Sequence, residues 1–115
     1  SGRISSNVRE QEARLNAALE RLRKLELQIR LDVETAILNV TSARHRVTTA
    51  EKTISLADES LKIEREKYEF GKGTIIDVLD AQSALLEAQT GYYRALAEYK
   101  TAAAQLALAT GGYEI

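Results

Sequence analysis

Glycine and proline decide what this chain can fold into, because almost nothing in it interrupts a helix. The 115 residues include no proline and six glycines, confined to Gly2, the pair Gly71 and Gly73, Gly91, and the closing Gly111 and Gly112. Ala, Leu, Glu, Arg, Lys and Gln fill the long stretches between them, and these are strong helix formers. The single internal break is the segment from Tyr68 to Gln82. A glycine there lets the chain leave a helix through the left-handed region without a Cβ penalty. Thr74 has the chemistry to restart a helix, with Asp77 three residues later as its partner in a capping-box-like pair. The chain is expected to run out as one helix, turn tightly, and return as another.

Heptad spacing supports both helices. In the return segment Val78, Leu85, Tyr92, Tyr99 and Leu106 recur every seven residues. Each is followed three positions later by an alanine: Ala81, Ala88, Ala95, Ala102 and Ala109. The outgoing segment repeats the scheme with Val33, Val40, Val47, Ile54, Leu61 and Tyr68, partnered by Ala36, Ala43, Ala50 and Ala57. The second series, that of the alanines, continues upstream at the same spacing through Ile29, Leu22, Leu15 and Val8. A large-and-small seam at a spacing of about 3.5 predicts left-handed supercoiling and close helix approach. The fold class is therefore all-α, a long antiparallel helical hairpin with coiled-coil packing. The first helix, from about Ser5 to Glu69, is longer than the second, from Ile75 to Thr110. A tip turn at 70–74 joins them, and a stop at 111–115 is built on Gly111 and Gly112.

Unequal lengths have a consequence. Folding back at the turn pairs residues 75–109 with 35–69 and leaves the apolar stripe Val8, Leu15, Leu19, Leu22 and Ile29 without a partner in this chain. The same stretch offers Glu10–Arg14, Glu20–Lys24 and Glu26–Arg30 as i,i+4 pairs, worth about 0.2–0.5 kcal/mol each. Leu79, Leu86, Tyr93, Leu96, Ile37, Leu56 and Ile63 lie off the seam and give the hairpin second faces. These features predict one wall element of a larger helical assembly.

Composition excludes several function classes. A formal net charge of −1 gives no electrostatic reason to expect nucleic acid or an anionic membrane surface. With no cysteine there is neither a disulfide framework nor a thiolate metal site. No apolar run reaches the roughly 18 residues a membrane-spanning helix needs, and no signal peptide is legible. Whether Ser1 and Gly2 are an expression scar or native, a piece cut from a longer, exported protein is the expectation. His45, between Arg44 and Arg46, reads as part of a solvated face rather than as a ligand. Gly71, Lys72, Gly73 and Thr74 lack the strand and spacing of a phosphate-binding loop. No catalytic arrangement, cofactor or metal site is expected.

Tyr68, Gly71, Thr74, Ile75, Ile76, Asp77, Val78, Leu79, Asp80 and Ala81, followed by Ala88, Tyr92, Ala95, Tyr99, Ala102, Leu106 and Gly111, resemble the TolC-type outer-membrane efflux protein family. The upstream helix is similar too, from Gly2 and Arg3 through Val8, the 28–33 region and Leu61, so the resemblance covers the whole chain in order. It implies a homotrimer whose helices build a hollow α-helical barrel through the periplasm below a β-barrel in the outer membrane of a Gram-negative bacterium. This chain would be the helical part of one internal repeat, touching the membrane only through β-strands it lacks. The turn would be the periplasmic tip, with Tyr68, Gly71, Lys72, Gly73 and Thr74 docking a periplasmic adaptor (membrane fusion) protein. An inner-membrane pump would lie beyond the adaptor, in tripartite efflux or type I secretion.

By the same resemblance Asp77 and Asp80 would ring the channel entrance as a gate, since i,i+3 spacing places them on one face and threefold repetition concentrates their charge. Asp77 also fits a plain capping role, and both readings stay open. Tyr68 is either the last packing residue of its heptad row or a hydroxyl contact that holds the tip closed. The family places a basic residue where Gly73 stands here, and the nearest cation in this chain is Lys72. The competing reading is a purely structural coiled coil or designed helical scaffold with no transport role. It explains the heptads but gives no reason for a glycine turn followed by two aspartates.

Overall fold

A computed structural model describes residues 2–112. The part of the expected C-terminal stop from Tyr113 to Ile115 lies outside the described residues. Among those residues there are two helices and no strand: α1 (Gly2–Glu69, 68 residues) and α2 (Ile75–Ala109, 35 residues). The all-α fold with a longer first helix is what the heptad spacing implied. By its contacts the chain divides into two units, Ser1–Thr35 and Ala36–Ile115.

In the first unit the helix has no interior of its own. Ile4, Val8, Leu15, Leu19, Leu22, Leu25 and Ile29 are all between 43% and 67% exposed. Surface ion pairs support the helix locally. Arg14 donates to Glu10 at 2.9 Å, while Glu20 is met by Arg23 at 2.8 Å rather than by Lys24, because the long guanidinium arm reaches back three residues as easily as an ammonium reaches four. Val33 is half-buried.

The second unit is an antiparallel helix pair. Arg46 on α1 lies 3.4 Å from Glu98 on α2, and the Arg44 guanidinium sits 5.9 Å from the centre of the Tyr99 ring. Nearer the turn, Leu61 packs with Val78, Ala81 and Leu85. Numbers that rise along one helix fall along the other, which fixes the sense of the pairing. The interior is made mostly of small side chains. Ala36, Ala43, Ala81, Ala88, Ala95 and Ala102 are buried, as are Leu61 and Val78, and Ala43 has no exposed surface at all. Val40, Val47, Ala50, Ile54, Ala57, Leu85, Tyr92, Tyr99 and Leu106 are half-buried along the same contact. Each buried methyl contributes about 0.8 kcal/mol of apolar transfer, and the absence of longer side chains lets the backbones approach and gain dispersion contacts.

Away from this contact the hairpin stays apolar and open. Leu56, Leu79, Leu86 and Tyr93 are 53–73% exposed, Ile37 and Ile63 somewhat less, and Leu96 is half-buried. Tyr92 and Tyr93 meet edge to face, with ring centres 5.4 Å apart, so one ring leans on the seam and supports the other in solvent.

Candidate functional site: the interhelical turn

Where the chain reverses, backbone and side-chain hydrogen bonds together close one helix and open the next. α1 ends in a Schellman motif, in which a left-handed residue just past the helix lets two backbone N–H groups close back on the last carbonyls. That residue is Gly71, with φ +71°. The Lys72 N–H donates to the Lys67 carbonyl at 2.7 Å and the Gly71 N–H to the Tyr68 carbonyl at 3.1 Å. A third donor, the Gly73 N–H, reaches the same Lys67 carbonyl at 3.0 Å. The helix end therefore leaves few carbonyls for water, and the turn is held by its own backbone. α2 closes in the same way, with Gly111 at φ +81°, Gly112 donating to the Ala107 carbonyl and Gly111 to that of Leu108.

The two glycines of the turn do different work. Gly71 supplies the left-handed conformation. A Cβ placed on it meets nothing within 4 Å. Gly73 has no positive φ, but a Cβ there would stand 3.0 Å from the Lys67 Cβ and 3.4 Å from the Tyr68 nitrogen. It is small because the returning chain passes against the last turn of α1. A side chain at this position would need the last turn of α1 at Lys67 to give by a few tenths of an ångström.

Thr74 then starts α2. Its backbone is extended, at φ −105° and ψ 158°. Its hydroxyl accepts from the Asp77 N–H at 3.2 Å, and the Thr74 N–H donates to the Asp77 carboxylate at 3.4 Å. This is a reciprocal capping box, with the Asp77 charge also at the positive end of the helix. Asp77 is thus tied to the turn. Asp80 is exposed one helical turn further on, outside the box. Lys72 is exposed as well, and Tyr68 is 48% exposed, far more open than Leu61 one heptad earlier at 4%.

Phe70 stands outside both heptad rows. It is 78% exposed at the end of α1, with Ile75 at 48%, Ile76 at 65% and Leu79 at 53% on the first turns of α2. A lone phenylalanine between Glu69 and Gly71 was the available signal, since a turn residue with no core to enter has no packing reason to be aromatic. Away from the turn, an open groove of about 650 Å³ runs along the helix pair, lined by Arg46, Thr53, Ala88, Gly91, Arg94 and Glu98 among others. Among the described residues no group of His, Cys, Asp and Glu could hold a metal ion, and no helix is long and apolar enough to cross a membrane.

Fold and turn together define an all-helical, coiled-coil-type hairpin closed by a capped turn. The family model for outer membrane efflux proteins matches residues 1–112. The chain belongs to the outer membrane efflux protein family. No curated protein and no solved structure gave a match. The family is one of transport channels, not of enzymes, and its members are trimeric channels that partner with adaptor proteins. Membership makes this chain a component of an outer-membrane efflux channel.

Proposed function

We propose that the helix pair is a periplasmic tunnel segment of a trimeric channel, used in tripartite efflux or type I secretion. Its turn is the tip that docks a periplasmic adaptor, and its aspartates form the gate. Family membership over residues 1–112 carries this reading. The turn adds support through its order: three N–H groups converge on the last carbonyls of α1 and a capping box opens α2. A docking surface benefits from such backbone order, because less freedom is lost on binding. Tyr68, Gly71, Lys72, Gly73 and Thr74 form that surface. The contact of α1 with α2 is the tunnel wall, and small displacements of the tip would widen an acidic aperture.

The two aspartates divide the work. Asp77 is held by Thr74, so its charge serves the helix start as well as the aperture. Asp80 has no part in the box, and its charge is free for the lumen. The test is single-channel conductance of the intact trimer with Asp77→Asn and Asp80→Asn, separately and together. Asp80→Asn is expected to lower cation preference with the fold unchanged. Asp77→Asn is expected to lower it less and to cost about 0.5–1 kcal/mol of stability as well. Unaltered cation preference in the double variant would sink the acidic ring.

A further inference from the structure

We infer that the grooved flank of the helix pair lines the lumen, and that Arg94 on it is a basic station for the anionic groups of passing solutes. This rests on reading the helix pair as a tunnel segment. Seven-residue spacing places the flank. One row runs from Asp77 through Ala84, Gly91, Glu98 and Gln105, and a second from Asp80 through Glu87, Arg94 and Thr101. Both rows fall on the same side of the α2 seam. The groove of about 650 Å³ opens on that side, between Glu87, Arg94 and Glu98 of α2 and Arg46, Thr49 and Thr53 of α1. Another groove of about 400 Å³ continues it away from the turn, sharing Arg46, Arg94 and Glu98 and adding Asn39, Ser42 and Gln105. The two aspartates therefore stand at one end of a polar strip about 42 Å long. On α1 the strip stops at Thr53, because Leu56 and Ile63 follow on the same flank, so the assignment concerns the shaft behind the turn.

The other flank of α2 has the opposite character. Leu79, Leu86 and Tyr93 recur there at seven-residue spacing and are more than half exposed. Large apolar side chains left in water gain from cover, whereas covering an unpaired guanidinium costs free energy. Neighbouring hairpins take the apolar flank, and water keeps the groove. Within the groove the charges are not equivalent. Glu98 follows Arg94 by four residues, the less favourable order for a helix ion pair, and it crosses to Arg46 at 3.4 Å instead. Arg94 enters no ion pair among the described residues, and Glu87 stands one heptad off, about 10 Å along the axis. Arg94 is the unpaired cation of the strip, about 21 Å behind Asp80. Its planar fork suits carboxylate, phosphate or sulfate groups. Three copies would offset the negative potential that Asp77 and Asp80 set at the entrance.

Single-channel currents through the intact trimer in a lipid bilayer test both parts. No cysteine within these 115 residues competes for a thiol reagent, and the unsubstituted channel treated alike is the baseline. An anionic, membrane-impermeant methanethiosulfonate should lower the current in steps at Arg94→Cys. It should leave Leu86→Cys and Gln89→Cys, on the opposite flank, unchanged. Arg94 is exposed, so its substitution leaves the fold intact. Without reagent, Arg94→Gln should raise the cation-to-anion permeability ratio about twofold in low salt, because a unit charge about 10 Å away across water changes an ion's local population by about that factor. Arg94→Lys should keep the original ratio. Current loss at Leu86→Cys or Gln89→Cys overturns the choice of flank and leaves the tunnel segment standing. No loss at any of the three, with modification verified by mass spectrometry, overturns both. Loss at Arg94→Cys with an unchanged ratio in Arg94→Gln overturns the basic station.

Discussion

Replacing Gly71 by alanine isolates one term of the turn. The backbone there lies at φ +71° and an added Cβ meets nothing within 4 Å, so no clash contributes. What remains is the strain of an L residue in the left-handed region, about 1–2 kcal/mol. Stiffening of the unfolded chain offsets about 0.4–1 kcal/mol of it, for a net loss near 1 kcal/mol. In a cooperative unit of this size that lowers the melting temperature by about 4–8 °C, read by far-ultraviolet circular dichroism. Gly71→Asn should lose less, because asparagine tolerates this conformation. Gly73→Ala makes the contrast: its backbone is ordinary, and its cost comes from the 3.0 Å approach to the Lys67 Cβ. If Gly71→Ala melted at or above the unsubstituted protein, the left-handed exit from α1, and the Schellman closure with it, would be wrong.

Ala43 is fully enclosed between the helices, so Ala43→Leu must separate them. A loss of about 1–3 kcal/mol is expected, visible as a lower urea midpoint, and an unchanged midpoint would mean the backbones are not in close contact there. The Arg46–Glu98 pair is about half exposed on both sides and so contributes little. A double-mutant cycle with Arg46→Ala and Glu98→Ala should give a coupling of about 0.2–1 kcal/mol that fades in molar salt, and a salt-independent coupling would contradict the exposed geometry.

The fold was legible because two signals agreed. Spacing of about 3.5 named a helix face, and the absence of proline left glycine alone to mark the break. What the spacing could not give was depth. Ala43 is wholly buried and Ala50, in the same row, only half so, because depth depends on how closely the opposite helix approaches. The turn was legible by residue type but not by reason. Gly71 and Gly73 look alike in sequence, yet one answers to φ and the other to a neighbour whose position only the folded chain defines. The Arg46–Glu98 and Arg44–Tyr99 contacts were invisible for a related cause, since cross-helix partners depend on a register set by the turn. Phe70 escaped because pattern reading looks for apolar residues that repeat, and an isolated one at a helix end repeats with nothing.

The alanine rows have a mechanical consequence. Among the described residues the helix pair buries no polar group, its Arg46–Glu98 ion pair is about half exposed, and its large buried side chains, Leu61 and Val78, sit near the turn, so little along the shafts opposes shear of one helix on the other. Sliding exchanges one methyl contact for a similar one. At the turn three amide donors pin the chain to the carbonyls of Lys67 and Tyr68. This contrast predicts a pair softer to shear along its shafts than at its turn.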